Sequence, residues 1–154
     1  MRIKTNKKAP NFKLDSTASN PFELSKSKNA LIIYFYPKDN TPGCTLETKD
    51  FSKLYKKFKS LKYEVVGISK DDIKSHLSFK KKYKVPFQLL SDEKVQVQKK
   101  YGVWGMKSFL GKKFMGTIRS TIAINKHGKI LRVWPNVRVI NHAQEVLDFV
   151  KSQK

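Results

Sequence analysis

Residues 31–58, LIIYFYPKDNTPGCTLETKDFSKLYKKF, contain the change of hydrophobic period that decides the fold. Leu31 to Tyr36 are six consecutive apolar residues, rich in β-branched and aromatic types, and predict a strand buried on both faces. Pro37 ends it, because proline has no N–H to give a ladder. Asp39, Asn40, Thr41, Pro42 and Gly43 are turn-forming residues and predict a tight connection. From Cys44 onward Phe51, Leu54, Tyr55 and Phe58 recur at helical spacing, with Lys53, Lys56 and Lys57 on the opposite face. The chain's one cysteine therefore falls where a strand-to-helix corner delivers it to a helix N-terminus.

Working outward, residues 9–14 and 21–24 predict two short extended pieces, with the turn-like segment 15–20 between them. Residues 62–69 predict a second core strand. Asp71 or Asp72 is placed to cap the next helix, which carries Ile73, Leu77, Phe79 and Tyr83 and ends before Pro86. Residues 87–90 predict a short strand, and Ser91 or Asp92 starts a helix through Val95 and Val97 that Gly102 ends. Residues 103–116 carry no readable period and predict irregular structure. Residues 117–125 and 129–134 predict a hairpin around the turn at 125–128, and residues 142–150 a closing helix with Ala143, Val146, Leu147 and Val150 on one face. Strand and helix alternate and a late hairpin follows. The expectation is an α/β fold of one domain, residues 1–154, with a mixed central sheet and helices on both faces.

Composition narrows the classes. A chain of 154 residues with 39% hydrophobic and 12% aromatic residues can bury a real core. No apolar run approaches the ~20 residues of a membrane span, and the charged opening MRIKTNKKAPNF lacks the apolar region of a signal peptide. The expectation is a cytoplasmic protein. One cysteine excludes an intrachain disulfide and is too few for a cysteine-based zinc site. The net charge is +21, and all of the 33 basic residues except Arg2, Arg119, Arg132 and Arg138 are lysine. Such charge attracts nucleic acid or anionic membranes, but arginine forks and stacking platforms for base recognition are not clustered here. No specific nucleic-acid partner is expected.

A thiolate, not a thiol, is the nucleophile, and a helix N-terminus favours the anion through unpaired N–H groups and partial positive charge. A more stable thiolate is also a weaker nucleophile. Strong catalysis therefore needs donors aimed at the charge that develops in the transition state. Thr41, three residues before Cys44, and the N–H groups of Gly43 and Cys44 are candidates. Arg119, at the start of an otherwise apolar strand, is another. Each has a plain structural reading: a lone cysteine is commonly a small buried hydrophobe, Thr41 a cap, Arg119 an ion-pair residue. Glu47 suits the helix dipole without a catalytic role, and His76, His127 and His142 show no ligand spacing.

At these residues the chain resembles a known family. Pro37-Lys38-Asp39-Asn40-Thr41-Pro42-Gly43-Cys44-Thr45 is similar to the peroxidatic loop of peroxiredoxins. The preceding Tyr34-Phe35-Tyr36 points to the bacterioferritin comigratory protein, or peroxiredoxin Q, subfamily. Residues 9–12, 86–92, 101–105, 119–121, 125–130 and 142–147 extend the likeness over nearly the whole chain. The resemblance implies a thioredoxin-like fold, an AhpC/TSA-type domain, and reduction of hydrogen peroxide and organic hydroperoxides for antioxidant defence. It makes Cys44 the peroxidatic nucleophile, Thr41 and Arg119 the residues that bind and polarise peroxide, and Pro37 the shield of the thiolate. The backbone of Gly43 completes the site. No metal, haem or flavin cofactor is implied.

One departure matters. Many members of the subfamily carry a resolving cysteine five residues after the first, and here that position is Lys49. The resemblance then implies a one-cysteine cycle whose sulfenic acid is reduced by an external thiol: thioredoxin, glutaredoxin or glutathione. A monomer is expected, with a weak dimer as the alternative; a Cys44–Cys44 disulfide between chains is conceivable but would have to expose two pocketed thiols. The alternative is a redox-sensing or binding module with an oxidisable cysteine and little turnover.

Overall fold

The computed structural model describes residues 3–153. Its central strand, β3 (Ala30–Phe35), lies within one residue of the expected position. β3 runs parallel to β4 (Tyr63–Ser69) on one side and antiparallel to β8 (Ser120–Ile124) on the other. Beyond β4 lie β5 (Gln88–Ser91), β1 (Lys13–Ser16) and β2 (Phe22–Glu23); beyond β8 lies β9 (Ile130–Trp134). The seven strands are ordered β2-β1-β5-β4-β3-β8-β9. A separate hairpin pairs β6 (Trp104–Phe109) with β7 (Lys112–Thr117).

The strand period divides the core in two. Leu31, Ile33 and Phe35 face a cluster with Phe12, Leu24, Val97 and Tyr101, whereas Ile32, Tyr34 and Tyr36 face Phe51, Phe58, Phe79 and Leu147. The second face is covered by α1 (Pro42–Ser60), α2 (Ile73–Tyr83) and α4 (His142–Lys151). The first is covered by α3 (Gln96–Tyr101) and the N-terminal segment. Tyr34 stacks on Phe51 with ring centroids 4.8 Å apart. Its ring also fills the space above Gly67 on β4, where a Cβ would meet it at 2.7 Å. Burial of each large side chain of this kind stabilises by roughly 1.5–3 kcal/mol, so the aromatic layer fixes α1 against the sheet and sets the height of its first turn.

Several expectations need correction. The helix begins at Pro42, two residues earlier than read, because proline is suited to the first helical position. Residues 103–116 are not irregular. They form most of the β6–β7 hairpin, whose two-residue turn holds Leu110 and Gly111 at φ 51° and 80°. Arg119 is not on a strand but in the link between β7 and β8. Asp15 and Ser16, read as turn, are paired with β5 in β1. α3 starts at Gln96, with the Asp92 carboxylate accepting from the N–H groups of Val97 and Gln98 ahead of it. Of the two caps expected for α2, Asp72 is the one used, accepting from the Ser75 N–H at 2.8 Å. Leu77 points to solvent, and the buried face of α2 carries His76 and Phe79.

Candidate active site

The corner between β3 and α1 is built from the backbone outward. Thr41 is the N-cap of α1 and Thr45 N–H makes the first helical bond to its carbonyl at 2.8 Å. The N–H groups of Gly43 and Cys44 therefore precede the helical ladder and remain as orphan donors at its positive end. Cys44 is fully buried in the first turn. The Arg119 guanidinium, 75 residues away in sequence, reaches it from the β7–β8 link, with Nη2 donating to Sγ at 3.3 Å. The link is itself tied down, because Val137 N–H donates to the Arg119 carbonyl at 2.8 Å.

Gly43 makes room for this arrangement. A Cβ there would lie 3.2 Å from Arg119 Nη2, so a side chain at position 43 would push the guanidinium off the sulfur. The other guanidinium nitrogen, Nη1, donates to Glu47 Oε1 at 2.6 Å. Glu47 is 1% exposed, one helical turn beyond Cys44, and its Oε2 finds no partner among the described residues. Burial pushes the Glu47 carboxyl up to about 7, against the opposing pull of Arg119. Arg119 shows the other side of the same contact. Burial opposes its charge, yet Glu47 and Cys44 outweigh that cost and hold its pKa above the ordinary value. The 2.6 Å geometry places both in one ionised pair near neutrality, with the carboxylate as the weaker member because half of it is unsatisfied.

Thr41 Oγ1 donates to the Lys38 carbonyl at 2.8 Å and makes no hydrogen bond to Cys44. Its proton is thus committed and its lone pairs are free to accept. Pro37 is half-buried at the end of β3, and Lys49 is exposed on the outer face of α1. The five candidate residues therefore divide. Cys44, Arg119 and Gly43 are in mutual contact, Thr41 stands at the same helix start with its hydroxyl turned to the loop, and Pro37 opens that loop.

Beneath the loop lies a polar buckle that the sequence reading did not identify. Asp39 is buried, and its carboxylate accepts from Tyr36 Oη at 2.6 Å and Ser75 Oγ at 2.8 Å. His76 Nε2 lies 2.9 Å from the Leu90 carbonyl, which can only accept, so that nitrogen carries a proton. His76 Nδ1 is 2.7 Å from Asp39 Oδ2, which places a further proton on that axis. The Asp39 N–H donates to Asp71 Oδ2 at 2.8 Å, and Ser69 Oγ donates to the same oxygen at 2.6 Å. Asp39, Asp71 and His76 offer metal-type ligand atoms within 4.8 Å of one another. Asp39 Oδ2, Asp71 Oδ2 and both His76 ring nitrogens are already engaged in hydrogen bonds, which fasten Asp39 to α2 and to the β4–α2 link, and α2 to β5. Of the buried polar residues missed, two carry a signal in the sequence: Glu47 shares the spacing of Cys44, Thr48 and Phe51, and His76 that of Phe79.

His142 is also buried, bonded to Thr121 Oγ1 at 2.8 Å and Glu145 Oε1 at 3.2 Å, and burial holds its pKa below the usual value. His127 is exposed.

A buried thiol at a helix start, faced by a guanidinium beside this mixed sheet, is an arrangement suited to a thiol-dependent peroxidase of the thioredoxin-fold class. Residues 5–133 match the AhpC/TSA family, and the chain belongs to it. It is 38% identical over 152 residues to peroxiredoxin Bcp of Bacillus subtilis, covering 98% of this chain and 97% of that protein. The crystal structure of a cysteine-to-serine mutant of Xylella fastidiosa PrxQ superposes with a TM-score of 0.92 at 33% identity, over 99% of this chain and 98% of that one. The bacterioferritin comigratory protein of Xanthomonas campestris, described for its alkyl peroxide reduction activity, superposes with a TM-score of 0.86 at 34% identity. That match covers 92% of this chain and 90% of the other. The chain is thus a peroxiredoxin of the Bcp/peroxiredoxin Q kind, a thiol peroxidase whose substrates are a peroxide and a thiol reductant.

Proposed function

We propose that Cys44 is the peroxidatic nucleophile of a one-cysteine cycle. The thiolate attacks the terminal oxygen of ROOH along the O–O axis. The S–O bond forms as O–O breaks, and the departing RO− takes a proton to leave as ROH. Sulfur is oxidised to the sulfenic acid and the peroxide is reduced. Arg119 Nη2 favours the thiolate and then the charge moving onto the oxygens, and the Gly43 and Cys44 N–H groups donate to the same charge. Thr41, its own proton spent on Lys38, accepts the O–H of the incoming peroxide and orients it. Pro37 walls the sulfur from bulk water. The observation that carries this reading is the 3.3 Å contact of Arg119 Nη2 with a fully buried Cys44 Sγ, at a helix end with unpaired donors.

The chain has no second cysteine and Lys49 occupies the subfamily's resolving position. An external thiol R′SH therefore condenses with Cys44–SOH, releasing water and leaving a mixed disulfide. A second R′SH releases Cys44–SH and R′S–SR′. Small alkyl hydroperoxides, as well as hydrogen peroxide, suit a site whose contacts are all to the O–O group. A thiol that must return to the reduced state on every turnover suits the cytoplasm, and the protein is assigned there as a monomer, with monomeric elution on gel filtration expected.

Steady-state peroxide consumption with thioredoxin, glutaredoxin plus glutathione, or glutathione alone tests the cycle. Multiple turnovers with at least one donor, abolished in Cys44→Ser, are expected. A single stoichiometric oxidation with every donor would instead make the protein a redox sensor, the reading favoured by the missing second cysteine.

A further inference from the structure

We propose that the β6–β7 hairpin docks the protein onto the surface of an anionic phospholipid bilayer, with its tip in the interface. Met106, Phe109, Leu110, Phe114 and Met115 all lie on this hairpin and are between 46% and 86% exposed. They make up five of the eight large hydrophobic side chains exposed among the described residues. Exposure on this scale in one element marks an interaction site.

The register shows what kind of partner fits. Met106 pairs with Met115 on one face of the hairpin, and Phe109 and Phe114 stand on the other beside Lys112 and Lys107. The tip itself is Phe109 and Leu110, the latter 86% exposed, with Lys112 and Lys113 beside it on opposite faces, and Met106 and Met115 stand farther back. A folded protein partner covers one face of a ribbon. A bilayer interface surrounds the end of one, and so fits an apolar tip with a lysine on each face behind it.

The tip residue is also unfavourable for folding. Leu110 sits at φ 51°, a conformation that suits asparagine or glycine in a two-residue hairpin turn. A branched apolar side chain there costs the fold and contributes no packing to it.

Charge complements the lipid. Residues 104–117 carry Lys107, Lys112 and Lys113 and no acidic residue, in a chain of net charge +21. Lysines flanking an apolar tip reach phosphate headgroups while the tip enters the acyl boundary. No helix among the described residues is long and apolar enough to cross a membrane, so the contact is peripheral. The proposal is independent of how Cys44 is reduced.

Sedimentation with phosphatidylcholine vesicles containing about 30% phosphatidylglycerol, and with phosphatidylcholine alone, tests this at ~150 mM salt. The wild type is expected to sediment with the anionic vesicles only. Phe109→Ser/Leu110→Asn should lower its partition at least about tenfold, and Lys112→Gln/Lys113→Gln by about fivefold per lysine. Hydrogen peroxide consumption should be unchanged in both. Emission of a Leu110→Trp variant should shift to the blue on binding and be quenched by bromolipids. Absence of the wild type from the anionic pellet overturns the proposal. So does equal binding by Phe109→Ser/Leu110→Asn, which assigns attraction to diffuse lysine charge. Self-association without lipid that this variant abolishes, with no vesicle binding, makes the hairpin a protein interface instead.

Discussion

Replacing Glu47 by glutamine separates what this carboxylate does for stability from what it does for chemistry. Its carboxyl is held at about 7 in the fold, mainly by burial, against an ordinary value of 4.5. A folded-state pKa above the unfolded one means that the native protein binds the extra proton. The associated stabilisation is complete below about pH 4.5 and is lost as pH rises through 7. At about 1.4 kcal/mol per unit, the wild type should lose about 3 kcal/mol across that window. Glu47→Gln, with nothing to ionise, should lack this slope and equal or exceed the wild type in stability at pH 8. Chemistry moves the other way. The bond from Arg119 loses its ionised acceptor and keeps only its ionised donor. That weakening, near 1 kcal/mol, slows sulfenic acid formation at pH 8 by about fivefold. Urea unfolding at pH 5, 6, 7 and 8, with stopped-flow oxidation of both proteins, measures the two effects. Parallel stability curves, or an unchanged oxidation rate, would refute the reasoning.

Other substitutions probe the same pocket. Arg119→Met removes the donor beside Sγ and strands a buried carboxylate; oxidation by hydrogen peroxide should slow by about 10²- to 10³-fold, with stability at pH 8 lowered by about 3 kcal/mol. Thr41→Val should slow oxidation at least about tenfold while Thr41→Ser retains most of the rate, measured under single-turnover conditions. Gly43→Ala should raise the peroxide concentration needed for half-maximal rate and cost about 1 kcal/mol in stability, since its Cβ meets Arg119 at 3.2 Å.

The sequence made the corner legible because both of its halves have a period. Residues 31–36 run unbroken and apolar, and the spacing of Phe51, Leu54, Tyr55 and Phe58 marks one helical face, so β3 and α1 fall within two residues of expectation. Cys44 follows from that geometry alone. Its partner is less legible, because no spacing links residues 75 apart: Arg119 stands out as a charge in an apolar stretch, but only the fold brings it to the sulfur. Glu47 was assigned to the helix dipole, a sufficient reason for an acid in a first turn, although its register with Phe51 places it inside. The β6–β7 hairpin was unreadable because neither of its faces is covered near the tip, so no apolar–polar alternation is written into it. The buckle of Asp39, His76 and Asp71 joins three separate segments, and such long-range polar pairing leaves no periodic trace.

The central claim is that one sulfur atom takes an oxygen from peroxide and is restored by a thiol from outside the chain. Intact-mass analysis after one equivalent of hydrogen peroxide, repeated after adding a small thiol, follows that atom directly. The account predicts the gain of a single oxygen at Cys44, its replacement by a mixed disulfide, and return to the starting mass with excess thiol. Peroxide consumption with Cys44 unmodified, or at an equal rate in Cys44→Ser, would contradict it.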